Sequence, residues 1–168
     1  MSQNLIQPAS QQTDEDDNYK KGYEFENYVQ QLFNKNHFTL MQWRKAHKYL
    51  HKDVPVGHSN PDLELIFGRR NKHRFAVECK WRSQFTNGMI HWAHEHQIRS
   101  YLDFQAKERV PVFIAIGVGG EPSSPDKLFV TPLDNIYMYT DVYERRLIPF
   151  NRVPTQRFFY DTVQLQLF

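Results

Sequence analysis

The sequence predicts a mixed α/β sandwich, a central sheet with helices on its faces, in a chain whose 168 residues fit one domain. Three observations carry this. Apolar residues recur at helical spacing in two segments, Tyr19 to Asn34 and His91 to Glu108. Between them lie two short runs of strand character, Asn60 to Leu65 and Phe75 to Trp81. After the second helical segment comes a near-continuous apolar run, Val110 to Val118, which suits an inner strand covered on both faces.

The elements follow in chain order. Residues 1–18 are polar, rich in Gln and closed by Asp14-Glu15-Asp16-Asp17, and are expected to form a disordered arm ahead of a single domain over 19–168. In the first helix Phe25, Tyr28, Val29, Leu32 and Phe33 define one buried stripe, with Glu26 at its edge and Glu24 farther round. After a turn near Lys35-Asn36-His37, the basic and aromatic stretch Thr39 to Tyr49 reads as a strand running into a loop. Leu63, Leu65 and Phe67 then alternate as a buried face, Gly68 starts a turn, and Phe75 to Trp81 returns as a hairpin partner. Gly88 marks a loop before the second helix, where Ile98, Tyr101, Leu102 and Gln105 share a side and Gln97 stands one turn before Tyr101. Pro111 opens the apolar strand. Gly117-Val118-Gly119-Gly120 closes it as a turn, without the glycine spacing or the Lys-Ser/Thr ending of a nucleotide loop, so no nucleotide cofactor is expected. Leu128 to Thr131 makes one more strand, and the tail ends in alternating Val163, Leu165 and Leu167.

Period-two alternation puts Glu78 and Lys80 on one face of their strand and Val77, Cys79 and Trp81 on the other. With the Asp62 strand beside it, two carboxylates and an ammonium meet at one spot. Mg²⁺ takes oxygen ligands, commonly one or two carboxylates with water and substrate phosphate, and Asp62 and Glu78 meet that description.

Pro61-Asp62 and Glu78-Cys79-Lys80, with fifteen residues between the two acids, match the paired half-motifs of the PD-(D/E)XK nuclease superfamily, which the chain resembles over roughly residues 20 to 133. Gly22-Tyr23-Glu24-Phe25-Glu26 is similar to that family's opening helix, and Gln97 with Tyr101 to the Gln-x-x-x-Tyr motif of its exonuclease-type branch. The resemblance looks closest to restriction-type and Holliday-junction-resolving members. It implies a restriction-endonuclease-like three-layer sandwich with core order αβββαβ and a divalent-metal-dependent nuclease, a Mg²⁺-dependent phosphodiesterase of endo- or exonuclease type acting on nucleic acid, DNA before RNA. It also implies Mg²⁺, replaceable by Mn²⁺, held by Asp62, Glu78, Glu26 and the Cys79 backbone carbonyl. Lys80 then positions the attacking water, stabilises the phosphate or acts as base, and Gln97 and Tyr101 contact nucleic acid or order the site. A homodimer is a further expectation, because two strands need two sites, and the C-terminal strand offers an edge for it. The alternative is a catalytically weak or inactive module on the same fold that binds nucleic acid or protein.

Charge supports a polyanionic partner. The net charge is only +2, yet residues 35 to 82 hold eleven Lys or Arg against four acids. Arg69, Arg70 and Arg82 are candidate phosphate contacts, although Arg69-Arg70-Asn71-Lys72-His73-Arg74 also reads as a solvated hairpin turn. The cluster His91-Trp92-Ala93-His94-Glu95-His96 lacks the His-Glu-x-x-His spacing and cysteine partners of a zinc site; it reads as a helix start near the groove, with Trp92 packed inward or stacked on a base. Trp81 is expected in the core. No helix-turn-helix or zinc finger stands out, so sequence-specific cleavage is not expected. No stretch reaches the roughly 18 apolar residues of a membrane helix, the amino terminus lacks the basic and apolar regions of a secretory signal, and a lone cysteine fits a reducing interior. No membrane partner and a cytoplasmic location are expected.

Overall fold

The computed structural model describes residues 9–44 and 60–168. Helix α1 (Ala9–Gln31) is followed by β1 (Phe38–Trp43), β2 (Leu63–Phe67), β3 (His73–Arg82), β4 (Met89–His91), α2 (Glu95–Glu108), β5 (Val112–Val118) and β6 (Lys127–Pro132). Then come β7 (Asp141–Tyr143), α3 (Glu144–Leu147), β8 (Asn151–Arg152), β9 (Tyr160–Asp161) and β10 (Gln166–Leu167).

The main sheet runs β1-β2-β3-β5-β6-β8. β3 and β5 pair in parallel and every other neighbour is antiparallel. Parallel neighbours need a crossover, which α2 supplies. Apart from β4, which pairs outside the main sheet, the order α1, β1, β2, β3, α2, β5 is the αβββαβ order expected of a restriction-endonuclease-like sandwich. β5 is buried along its whole length, as its unbroken apolar sequence requires. Pro111 stands just before it and gives its carbonyl to the Ala76 N–H at 2.9 Å.

Two apolar layers sandwich the sheet. On one face the α1 stripe, Phe25, Val29 and Leu32, meets Leu63, Leu65, Val77 and Cys79, together with Phe158, Tyr160 and Leu167 from the C-terminal region. On the other face Ile98, Tyr101 and Phe104 of α2 meet Ala76, Ile114 and Ile116, with Ile90, Trp92 and Val142 alongside. Gly117 lets α1 approach β5: a Cβ there falls onto the Phe25 ring, inside van der Waals contact. Tyr28 fastens α1 to the distant chain by donating its hydroxyl to the Pro154 carbonyl at 2.6 Å.

The structure departs from sequence expectation at four places. Helix α1 begins at Ala9, so residues 9–18 are helical and not a disordered arm, while residues 1–8 of that arm lie outside the described residues. No Gly or Pro interrupts the chain from Ala9 to Lys21, and the Lys21–Asp17 pair at 2.5 Å supports the helix one turn apart, so a polar segment without an apolar stripe continues it. The second helix starts at Glu95, four residues after His91, because Met89–His91 pairs with Asp141–Tyr143 some fifty residues ahead, a contact invisible to local periodicity. Of the strand expected from Thr39 to Tyr49, only Phe38–Trp43 is a strand; residues 45–49 lie outside the described residues. The alternating tail is not one strand: Val163 is 90% exposed, Leu165 has φ +52°, and the two-residue strands β9 and β10 form a small hairpin anchored by Tyr160 and Leu167. The C-terminal strand expected as an edge for dimerisation is thus limited to the two residues of β10.

Two outcomes are expected. Gly117→Ala forces the Phe25 ring to move and lowers stability by about 1–3 kcal/mol in urea titration, the usual cost of overpacking; an unchanged midpoint contradicts the close approach. Burial pushes the Tyr28 phenol from 10.0 up to about 12. Its stabilising share is complete below pH 10, where both states are protonated, and is lost as pH rises toward 12, because the unfolded chain releases the proton first. Stability measured between pH 9 and 12 should fall less steeply in Tyr28→Phe than in the parent.

Candidate functional site

Among the described residues the buried charged side chains are three acids, Glu26, Asp62 and Glu78. A buried charge is costly unless paired, so three buried acids in one small sandwich mark a site more readily than a scaffold.

The register of the central hairpin brings two of them together. Leu63 stands opposite Val77 in the antiparallel β2–β3 pair, so Asp62, one step before β2, lies across from Glu78 on the α2 face. Asp62 Oδ2 accepts the Cys79 backbone N–H at 2.9 Å, which fixes the carboxylate against β3. On Glu78, Oε1 accepts the Tyr101 hydroxyl at 2.7 Å and lies 2.6 Å from Lys80 Nζ. Lys80 also donates to the Tyr101 oxygen at 3.3 Å, closing a three-membered network between β3 and α2. Glu78 and Lys80 thus share a face, as alternation requires, while Cys79 and Val77 lie in the opposite core layer. Burial, then the Glu78 charge and its hydrogen bond, push the Tyr101 phenol far above its ordinary pKa, so it remains a neutral donor.

Glu26 reaches the sheet from the α1 side, where its Oε2 accepts the Trp43 indole N–H at 2.8 Å. Among the described residues no group of three or more His, Cys, Asp or Glu side chains is gathered as a metal site. Asp62 and Glu78 nevertheless supply the hard oxygen donors that Mg²⁺ prefers, and one or two carboxylates suffice when waters and phosphate fill the remaining positions. Their donor chemistry fits such an ion.

Beside Lys80 opens a cleft of about 570 Å³, lined by Lys21 of α1, Lys80 and Arg82 of β3, His91 of β4, and His94 and Gln97 at the start of α2. Arg82 anchors the cleft wall: its Nε donates to the His91 carbonyl at 2.8 Å, and Nη1 to the Trp81 carbonyl at 2.8 Å. Gln97 caps α2, its Oε1 accepting the His94 backbone N–H at 3.0 Å. It lines the cleft without joining the Glu78 network, unlike Tyr101. Trp92 is fully buried, its indole N–H donating to the Tyr139 carbonyl at 2.6 Å, so it packs inward and stacks on no base. Trp81 is partly buried against the α1 layer.

Arg69 and Arg70 stand apart from the acids. They occupy the exposed β2–β3 turn, whereas Asp62 and Glu78 lie at the opposite end of that hairpin, five residues along β3 from His73 or ~17 Å at the strand rise.

A residue that charge counting overlooked is Arg44. Its backbone N–H donates to the Asp62 carbonyl at 2.9 Å, its Nη1 to the Pro61 carbonyl at 2.5 Å, and its Nη2 pairs with Glu64. The guanidinium also lies 5.4 Å from the Phe104 ring centroid. Burial lowers its pKa and the nearby Asp62 charge opposes that shift. Arg44 therefore clamps both the Pro61-Asp62 corner and α2. Within the sequence it was one of eleven cations; its position at the end of a strand facing Pro61-Asp62 was the available signal.

Among solved structures the chain is similar to Hjc, a Holliday junction resolvase of the archaeal hyperthermophile Archaeoglobus fulgidus, with a TM-score of 0.46 and 12% identity over 70% of this chain and 83% of that one. Neither a family model nor a curated protein matches the chain. Among the described residues no helix is long and apolar enough to cross a membrane.

Tyr101→Phe keeps the ring and removes both hydrogen bonds of the phenol. It should cost about 1–3 kcal/mol in urea unfolding, since the Glu78 carboxylate loses a buried donor; a change below a few tenths would mean that the network does not hold the site together.

Proposed function

We propose that this chain is a divalent-metal-dependent nuclease of the PD-(D/E)XK type that hydrolyses phosphodiester bonds in nucleic acid, with DNA as the expected substrate. One observation carries the reading: the buried charged side chains among the described residues are the three acids that the motif resemblance assigns to the metal, Glu26, Asp62 and Glu78. Lys80 beside Glu78 completes the set.

In this reading Asp62 and Glu78 hold Mg²⁺, or Mn²⁺ in its place, with the Cys79 backbone carbonyl and Glu26 as further donors. The ion, when bound, supplies Lewis acidity for a water nucleophile and for charge on the phosphate. The chain's own residues do the rest. Asp62 is oriented by the Cys79 N–H, and Glu78 by the neutral Tyr101 hydroxyl. The Lys80 ammonium, on the same face as both acids and on the wall of the cleft, orients the attacking water and offsets negative charge at the phosphate. Lys21 and Arg82 add positive charge along the cleft through which the backbone would pass. A second reading, a module that binds nucleic acid without cutting it, is favoured by the closed Glu78–Lys80–Tyr101 network and by the lack of a gathered three-acid cluster among the described residues.

Labelled linear duplex, single strand, nicked duplex, four-way junction and RNA, incubated with Mg²⁺, Mn²⁺ or EDTA, separate the two readings. Metal-dependent cutting is expected in the parent. Glu78→Ala or Asp62→Ala should abolish it, and Lys80→Ala should slow it by ~10²–10⁴-fold with metal binding less affected. Binding without cutting establishes the module instead, and site variants that fold and cut like the parent sink the assignment.

A further inference from the structure

On the molecule's α2 side, the β4–β7 ribbon and the turn that leads into β7 carry exposed aromatic side chains that neither the core nor the candidate site uses. Tyr137, Tyr139 and Tyr143 are 40%, 40% and 46% exposed, and Met138 is 73% exposed. Two exposed arginines lie over these rings, Arg145 with its guanidinium carbon 4.8 Å from the Tyr143 centroid and Arg146 4.4 Å from that of Tyr139. Apolar packing alone does not explain so many large rings left in water beside fixed cations.

The ribbon joins this patch to the cleft. In its antiparallel register Met89 faces Tyr143 and His91 faces Asp141, and β7 is exposed, buried, exposed at Asp141, Val142 and Tyr143. Tyr143 and Asp141 therefore share the outer face with His91, which lines the cleft beside Lys80. His91 Nδ1 lies 3.3 Å from Asp141 Oδ1 across the pair. The Tyr139 and Thr140 carbonyls accept the indole and backbone N–H of Trp92 at 2.6 and 3.1 Å, tying the Tyr139 loop to the segment that opens α2. A strand leaving the cleft past His91 would run onto the tyrosines.

Resting on the nuclease reading above, we infer that Tyr139, Tyr143, Arg145 and Arg146 form a second nucleic-acid surface that holds unpaired bases adjoining the cleft. Exposed rings stack on bases whatever their identity, and arginines beside them take the phosphates; a fully paired duplex hides its base faces from such rings. Charge complementarity and continuity with the cleft favour nucleic acid over a second copy of the chain as the occupant.

The test is anisotropy of the full chain in EDTA, which prevents cutting, on a blunt duplex and on the same duplex with a single-stranded overhang. A Tyr139→Ala, Tyr143→Ala double variant should bind the overhang substrate about tenfold or more weakly and the blunt duplex unchanged, whereas Tyr139→Phe, Tyr143→Phe should retain parental affinity for both. Should the alanine pair not fold, Arg145→Gln with Arg146→Gln carries the test: the overhang preference should shrink and its salt dependence flatten. Equal loss on both substrates, or no loss, overturns the inference and leaves the nuclease reading standing. A parent that binds neither DNA overturns both. Sedimentation in which the alanine pair converts a dimer to a monomer, with DNA affinity intact, assigns the patch to a second copy instead.

Discussion

Leu63 opposite Val77 sets the register of β2 on β3, and with it the distance between Asp62 and Glu78. A slip of one residue reverses every side chain of the strand, moving Leu63 and Leu65 out of the α1 layer and Asp62 away from the face of Tyr101 and Lys80. The apolar requirement of one face thus determines the chemistry of the other. Arg44 reinforces this at the open end of the hairpin, where its backbone and guanidinium both grip Pro61-Asp62.

The polar side of the sheet is held by few groups, each with more than one partner. Tyr101 donates to Glu78 while accepting from Lys80, and its suppressed ionisation keeps that direction of donation fixed. Asp62 accepts the Cys79 backbone N–H, so its position follows β3 itself. Burial strengthens these contacts, because the low-dielectric interior offers little competing water. The same burial makes acids in such a place destabilising to the fold, a common feature of functional sites.

Much of this was legible before the structure. Alternation placed Glu78 and Lys80 on one face and Cys79 in the core, helical spacing put Tyr101 on the buried side of its helix, and the unbroken apolar run became the central strand β5. What escaped depended on distant pairing or on composition. The β4–β7 ribbon joins residues about fifty apart, so His91 was read as helical. Polarity in residues 9–18 was read as disorder, although helix propagation needs no apolar stripe where breakers are absent. The distance of Arg69 and Arg70 from the acids was also hidden, because charge along a sequence carries no direction, whereas a hairpin sends its turn away from its open end. Arg44 was hidden by the same averaging.

The Arg44 N–H to Asp62 carbonyl bond has a consequence for how such a protein can change over evolutionary time. It joins the end of β1 to the residue that stands across from Glu78. A substitution that shifts β1 along β2 is accordingly passed straight to the acid pair, whereas one in the exposed β2–β3 turn, at the far end of the hairpin, is not. The turn is therefore free to drift while the β1 edge must stay as it is.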